Sequence, residues 1–104
     1  MIEKNPWRQI YDCIGEAAAL EMLAEEAAEL AAAASKAARI VRGDNPARTE
    51  LPNAFRDIFD ELVDVHNAED VWLAGSKETV PFKELQKMKM MRWHDSLFKE
   101  DDDA

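Results

Sequence analysis

Five acidic side chains in two short runs carry the chemistry this sequence can offer. LAEEAAEL, residues 23–30, places Glu25, Glu26 and Glu29 within five residues, and FDELVDV, residues 59–65, places Glu61 and Asp64 three apart. On a helix, residues three apart lie about 60° around the axis and project side by side. None of the five has a lysine or arginine four residues on to answer it. If the two helices lie antiparallel, Glu26, Glu29, Glu61 and Asp64 gather around one point. Carboxylates that face one another repel, so such a set is poor material for an empty core. It suits a hard divalent cation, which takes oxygen ligands. The other reading is a solvated face, the usual fate of glutamates on an alanine-rich helix. Spacing alone leaves both open.

The elements that would position these acids are punctuated by a few glycines and prolines. Asn5-Pro6 has the form of an N-cap followed by proline at the first helical position, opening a short helix from Pro6 to about Ile14. Gly15 breaks it. A long helix follows from Glu16 to Arg42, with Gly43 as its C-terminal cap and Lys36, Arg39 and Arg42 near the negative end of its dipole. The turn chemistry of GDNPARTELPN, residues 43–53, leads to a third helix from about Ala54 to Ala74, stopping at Gly75. Pro81 opens a fourth that reaches about Phe98, and residues 99–104 form an acidic tail expected to fray. No strand pattern, repeat or sustained heptad is present. The expected fold is all-α: one domain, an antiparallel bundle of about four helices.

On the third helix, Phe55, Ile58, Phe59, Leu62, His66 and Leu73 share one arc and are expected to form its core stripe. Glu61 and Asp64 fall on another arc, with Asp57, Ala68 and Val71. Acids continued by apolar positions suggest the wall of a pocket. The second helix is rich in alanine, which favours helix and lets a neighbour approach closely but buries little. A bundle so thin is expected to complete its core as a homodimer or homotetramer.

Composition narrows the partners. The 104 residues carry 13 basic and 22 acidic side chains, a net charge of −9. Such a surface repels nucleic acid and anionic membranes. Cys13 is the only cysteine, which rules out an intrachain disulfide, and it is expected to be a small buried side chain. The apolar runs are short and interrupted by charge, so neither a signal peptide nor a membrane span is expected and the chain reads as cytoplasmic.

The acidic runs and their order resemble the MazG-like, all-α nucleoside triphosphate pyrophosphohydrolases, whose signature is E-E-x-x-E on one helix and E-x-x-D on the next long one. Here these are E-E-A-A-E at Glu25, Glu26 and Glu29, and E-L-V-D at Glu61 and Asp64. GEAAALEMLAEEAAELAAAASK, residues 15–36, resembles the family's first long helix. RGDNP, residues 42–46, resembles a connector of short bacterial and phage-type members, and KMMRW, residues 89–93, a late K-x-x-R-W segment. The likeness covers about residues 10–97. There are departures: 31 residues separate Glu29 from Glu61, Ala19 stands where many relatives carry glutamine, and a basic residue is absent near Ser96.

The resemblance implies a magnesium-dependent hydrolysis of a nucleoside triphosphate to the monophosphate and pyrophosphate, with manganese as a substitute metal. Glu26, Glu29, Glu61 and Asp64 would bind the metal, with Glu25 beside them. One of Glu25, Glu26 or Glu29 would relay the proton of the attacking water. Lys36, Lys89 and Arg92 are candidates for the phosphates. Among the tryptophans, Trp93 is the first candidate for contact with the base, with Trp7 and Trp72 as others; core or interface packing is the alternative for each. Asn67, about 60° from Asp64, could orient a ligand. His66 is expected to pack and His94 to be solvated. Two other readings stand: a non-catalytic helical oligomer that binds nucleotide or protein, and an enzyme like phosphoribosyl-ATP pyrophosphohydrolase. A di-iron bundle is disfavoured, because no glutamate has a histidine three residues on.

Overall fold

Helix-forming sequence dominates the computed structural model, which describes residues 5–43, 50–77 and 80–98. Four helices follow one another: α1 (Pro6–Ile14), α2 (Glu16–Arg42), α3 (Leu51–Gly75) and α4 (Phe82–Phe98). No strand occurs among the described residues. The fold is therefore all-α, as the punctuation of the sequence implies. The expected acidic tail and most of the turn between α2 and α3 lie outside the described residues.

The termini form for local reasons. Asn5 Oδ1 accepts from the backbone N–H of Arg8 at 3.1 Å, and Pro6 follows at the first helical position, where its missing N–H costs nothing. Gly15 has φ 87° and ψ 168°, a conformation essentially confined to glycine, and it turns the chain sharply between α1 and α2. Gly43 closes α2 in the left-handed region, its N–H donating to the Ile40 carbonyl at 3.1 Å. α3 begins three residues earlier than its composition suggests. Pro52 sits in its first turn, where proline is tolerated, so LPN extends the helix instead of ending the turn.

α2 and α3 pack as an antiparallel pair, and α1 lies across them, mainly against α3. Small residues make the contact. Ala19 and Ala37 on α2 and Ala54, Ala68 and Val71 on α3 are the buried apolar residues among those described. Ala54, Glu61 and Ala68 recur at seven-residue intervals on one face of α3. The acidic arc is thus the packed arc. The expected core stripe packs only in part: Ile58 and Leu62 are half-buried, whereas Phe55, Phe59 and Leu73 are exposed, and so is His66. The reason is steric. A close α2–α3 contact admits alanines and excludes phenylalanine, so the aromatic arc turns to the opposite side of α3. Cys13, expected to be buried, is also exposed.

Three contacts with α3 help to hold α1. The Trp7 indole N–H donates to Asn67 Oδ1 at 3.2 Å, and Arg8 Nη1 donates to the Ala74 carbonyl at 3.1 Å. The Tyr11 ring lies against Gly75, so closely that a Cβ there would overlap ring atoms. Gly75 thus serves as a seat for Tyr11 as well as the end of α3. α4 makes no contact with the other three helices, and all its described residues are exposed.

Candidate metal centre

Heptad spacing sets the position of the acids. Glu26 follows the buried Ala19 by seven residues, and Glu61 lies midway between the buried Ala54 and Ala68. Both are therefore drawn into the α2–α3 seam, and both are half-buried. Glu29, one turn on from Glu26, is at the rim and exposed. Glu26, Glu29 and Glu61 each offer a carboxylate oxygen within 4.8 Å of the others. Glu26 Oε2 and Glu61 Oε2 are buried and have no hydrogen-bond partner. Buried carboxylate oxygens left unpartnered are costly, and a bound cation satisfies them.

The electrostatics follow from this crowding. Burial raises the Glu26 carboxyl above the usual glutamate value, and the neighbouring charges of Glu29, Asp64 and Glu25 push it further. Burial also raises Glu61, with Glu29 as its strongest neighbour and Asp64 and Glu26 adding to the effect. Like charges that disfavour ionisation in this way mark a site that holds protons or a cation more readily than it holds bare charge. The donor set is all carboxylate oxygen, which fits magnesium, manganese or calcium better than the softer transition metals.

The five acids named from the sequence thus come together. Glu26, Glu29 and Glu61 form the centre. Asp64 and Glu25 are close enough to act on Glu26 electrostatically, and both are exposed. Lys36 lies on the same side of α2 as Glu29, seven residues on, or about 10 Å along the axis. Lys89, Arg92 and Trp93 belong to α4 and are not brought to the acids within one chain. Trp93 is exposed to solvent.

A pocket of about 330 Å³ adjoins the acids. Glu26 and Asp64 form one side of it, and Trp7, Ile10, Met22 and Val71 supply an apolar lining, with Asn67 and Ala68 between. Asp64, Ala68 and Val71 are the arc that suggested a pocket wall in the sequence. The contribution of Ile10 and Met22 is new. The signal for Ile10 was its place three residues after Trp7 on a capped amphipathic helix. Met22 gave none beyond its place four residues before Glu26. Trp72 lines a separate hollow with Tyr11, Glu16, Gly75, Ser76 and Lys77, away from the acids.

No helix among the described residues is long and apolar enough to cross a membrane. Compared with family models, curated proteins and solved structures, the chain has no significant match.

Proposed function

We propose that the chain is a magnesium-dependent nucleoside triphosphate pyrophosphohydrolase that converts a ribo- or deoxyribonucleotide to its monophosphate and pyrophosphate. The observation that carries this reading is the convergence of Glu26, Glu29 and Glu61 from two helices, with two unpartnered buried oxygens, beside an apolar pocket walled by Trp7. The E-E-x-x-E and E-x-x-D order, with its resemblance to the MazG-like enzymes, supports it.

The division of labour follows from position. Glu26, Glu29 and Glu61 would hold the metal, with Asp64 at the pocket side of the cluster. When bound, magnesium neutralises phosphate oxygens and lowers the pKa of water, which is most of what displacement at phosphorus requires. Glu25 is exposed and adjoins Glu26 without belonging to the triad, so it is the best placed of the glutamates to accept a proton from the attacking water. Trp7 offers an indole to a base, and Asn67, already in contact with that indole, offers polar atoms to its edge. Lys36 would draw the far phosphates along α2.

The test is incubation of the purified chain with a panel of NTPs and dNTPs plus magnesium, with monophosphate and pyrophosphate resolved by chromatography. Turnover lost in Glu29→Ala and in Asp64→Ala, with helical circular dichroism retained, is the expected result. Full activity in both variants would end the assignment.

One observation favours a second reading, a metal-binding helical protein without turnover. Lys89 and Arg92 stand on a helix that makes no contact with the acidic pair. On that reading magnesium raises the melting temperature while no nucleotide in the panel is hydrolysed.

A further inference from the structure

The pocket beside the acids carries one hydrogen-bond donor whose polarity the fold determines. The Trp7 indole N–H meets the Asn67 side-chain amide at 3.2 Å. An indole nitrogen only donates, so the amide must present its oxygen to Trp7, which leaves its NH2 group for another partner. Asn67 makes no other hydrogen bond among the described residues, so both N–H bonds of that amide are free of protein partners. The same contact spends the one donor that the Trp7 side chain owns.

The rest of the lining cannot donate. Pro6, Ile10, Met22, Ala68 and Val71 have no side-chain donor. Glu26 and Asp64 accept as carboxylates and are the groups that a cation would claim. Asn67 is therefore the one free side-chain donor among the described residues that line the pocket. Space narrows the occupant further. At about 330 Å³ the pocket is at the small end of the range for small-molecule sites. From Asp64 to Val71 it follows two turns of α3, about 10 Å. A single-ring base with its sugar matches such a space more closely than a fused double ring does.

We propose that Asn67 makes this pocket selective for pyrimidine nucleotides, its amide N–H donating to a ring carbonyl of the base. The inference rests on the reading of the chain as a nucleotide hydrolase and names the substrate class of that same site. Uracil, thymine and cytosine each carry a carbonyl on a single ring. Adenine carries none, and guanine carries its carbonyl on a double ring that the space admits less well. An adenine amino group turned toward the free amide N–H would set donor against donor. The amide cannot flip to accept, because its NH2 would then oppose the Trp7 N–H. Asn67 is exposed, so water can serve an unmatched amide, and the discrimination is a matter of several-fold preference instead of exclusion.

Calorimetric titration of the full chain with the α,β-methylene analogues of UTP, CTP, ATP and GTP in magnesium tests this without turnover. The UTP and CTP analogues should bind about 3- to 10-fold more tightly than the two purine analogues, the scale of one net hydrogen bond. Asn67→Asp keeps an oxygen for Trp7 and removes the donor. Its added charge weakens all four analogues alike, so the ratio is what is read, and the pyrimidine-to-adenine ratio should fall to about one. Circular dichroism of the variant checks its helices, and the wild-type panel stands without the variant. Equal wild-type affinities for all four analogues overturn the selectivity and leave the hydrolase reading standing. A preference that Asn67→Asp leaves unchanged overturns the role of Asn67 alone. Binding of no analogue, with no turnover of any natural nucleotide, overturns both readings together.

Discussion

The Trp7 indole N–H and Asn67 Oδ1 meet at 3.2 Å and tie α1 to the helix that bears Glu61 and Asp64. The two residues lie sixty positions apart in the chain and both line the pocket beside the acids. The bond is at the surface, so its own contribution to stability is modest, about 1 kcal/mol or less. Its consequence is positional: it fixes the indole among the residues that line the pocket. Trp7→Phe should therefore leave the melting temperature within a few degrees and retain most nucleotide affinity. Trp7→Ala should weaken nucleotide binding by about 5- to 100-fold, the range expected for loss of one aromatic–base stack. Calorimetric titration of both variants with the preferred nucleotide and magnesium separates stacking from the hydrogen bond. Equal affinities in wild type and Trp7→Ala would remove the base from this pocket.

Replacing Glu61 by glutamine should separate the cost of the acid cluster from its use. The amide keeps the shape of the side chain and removes a charge that Glu29, Asp64 and Glu26 oppose. Without divalent metal, Glu61→Gln should melt higher than wild type at neutral pH. With millimolar magnesium the order should reverse, because the variant loses a ligand. Turnover should fall by about 100- to 1,000-fold, the scale of several kcal/mol of charge stabilisation. Melting curves with and without magnesium check the first two statements, and the nucleotide assay the third.

The pH dependence of the metal-free chain follows from the same two glutamates. Glu26 and Glu61 both have carboxyls raised above the usual value of 4.5, burial being the first cause and neighbouring acids the second. The folded chain therefore binds protons more tightly than the unfolded chain. That contribution to stability is fully present below 4.5 and is lost as pH rises through the raised folded values. The melting temperature in chelator should accordingly fall as pH climbs from 4.5 toward neutrality, relative to Glu61→Gln, which lacks part of the effect. Magnesium should flatten the difference. Parallel wild-type and variant curves in chelator would show that neither carboxyl is perturbed.

How much of this was legible in the sequence depends on which physical signal each feature left. Asn5, Pro6, Gly15 and Gly43 announced the helix ends, because caps and breaks rest on local backbone chemistry that a few residues determine. The acids were visible from spacing, and the arc of Asp64, Ala68 and Val71 did become a pocket wall. The side of α3 that packs was read only in part, through Ile58 and Leu62. Hydrophobicity favours Phe55 and Phe59, but the fully buried positions on the two helices are alanines and Val71. The better signal was the heptad interval from Ala54 through Glu61 to Ala68, a small residue on either side of an acid. The isolation of α4 could not be read at all, since its apolar and basic residues look the same whether they cover this chain or another.

Gly75 and Tyr11 supply the sharpest packing test. A Cβ on Gly75 would overlap the Tyr11 ring. Either the ring turns away from α3 or the end of α3 shifts, and both loosen the seat of α1. Gly75→Ala should therefore destabilise the chain by about 1–3 kcal/mol, the usual cost of overpacking, despite the better helix propensity of alanine. Near the end of so short a domain that corresponds to a fall of roughly 4–20 °C in melting temperature. Tyr11→Ser in the same background removes the clashing ring, so the double variant should melt no lower than Tyr11→Ser alone. Strict additivity of the two losses would mean that Gly75 matters for another reason, and that α1 is anchored by Trp7 and Arg8 without help from this seat.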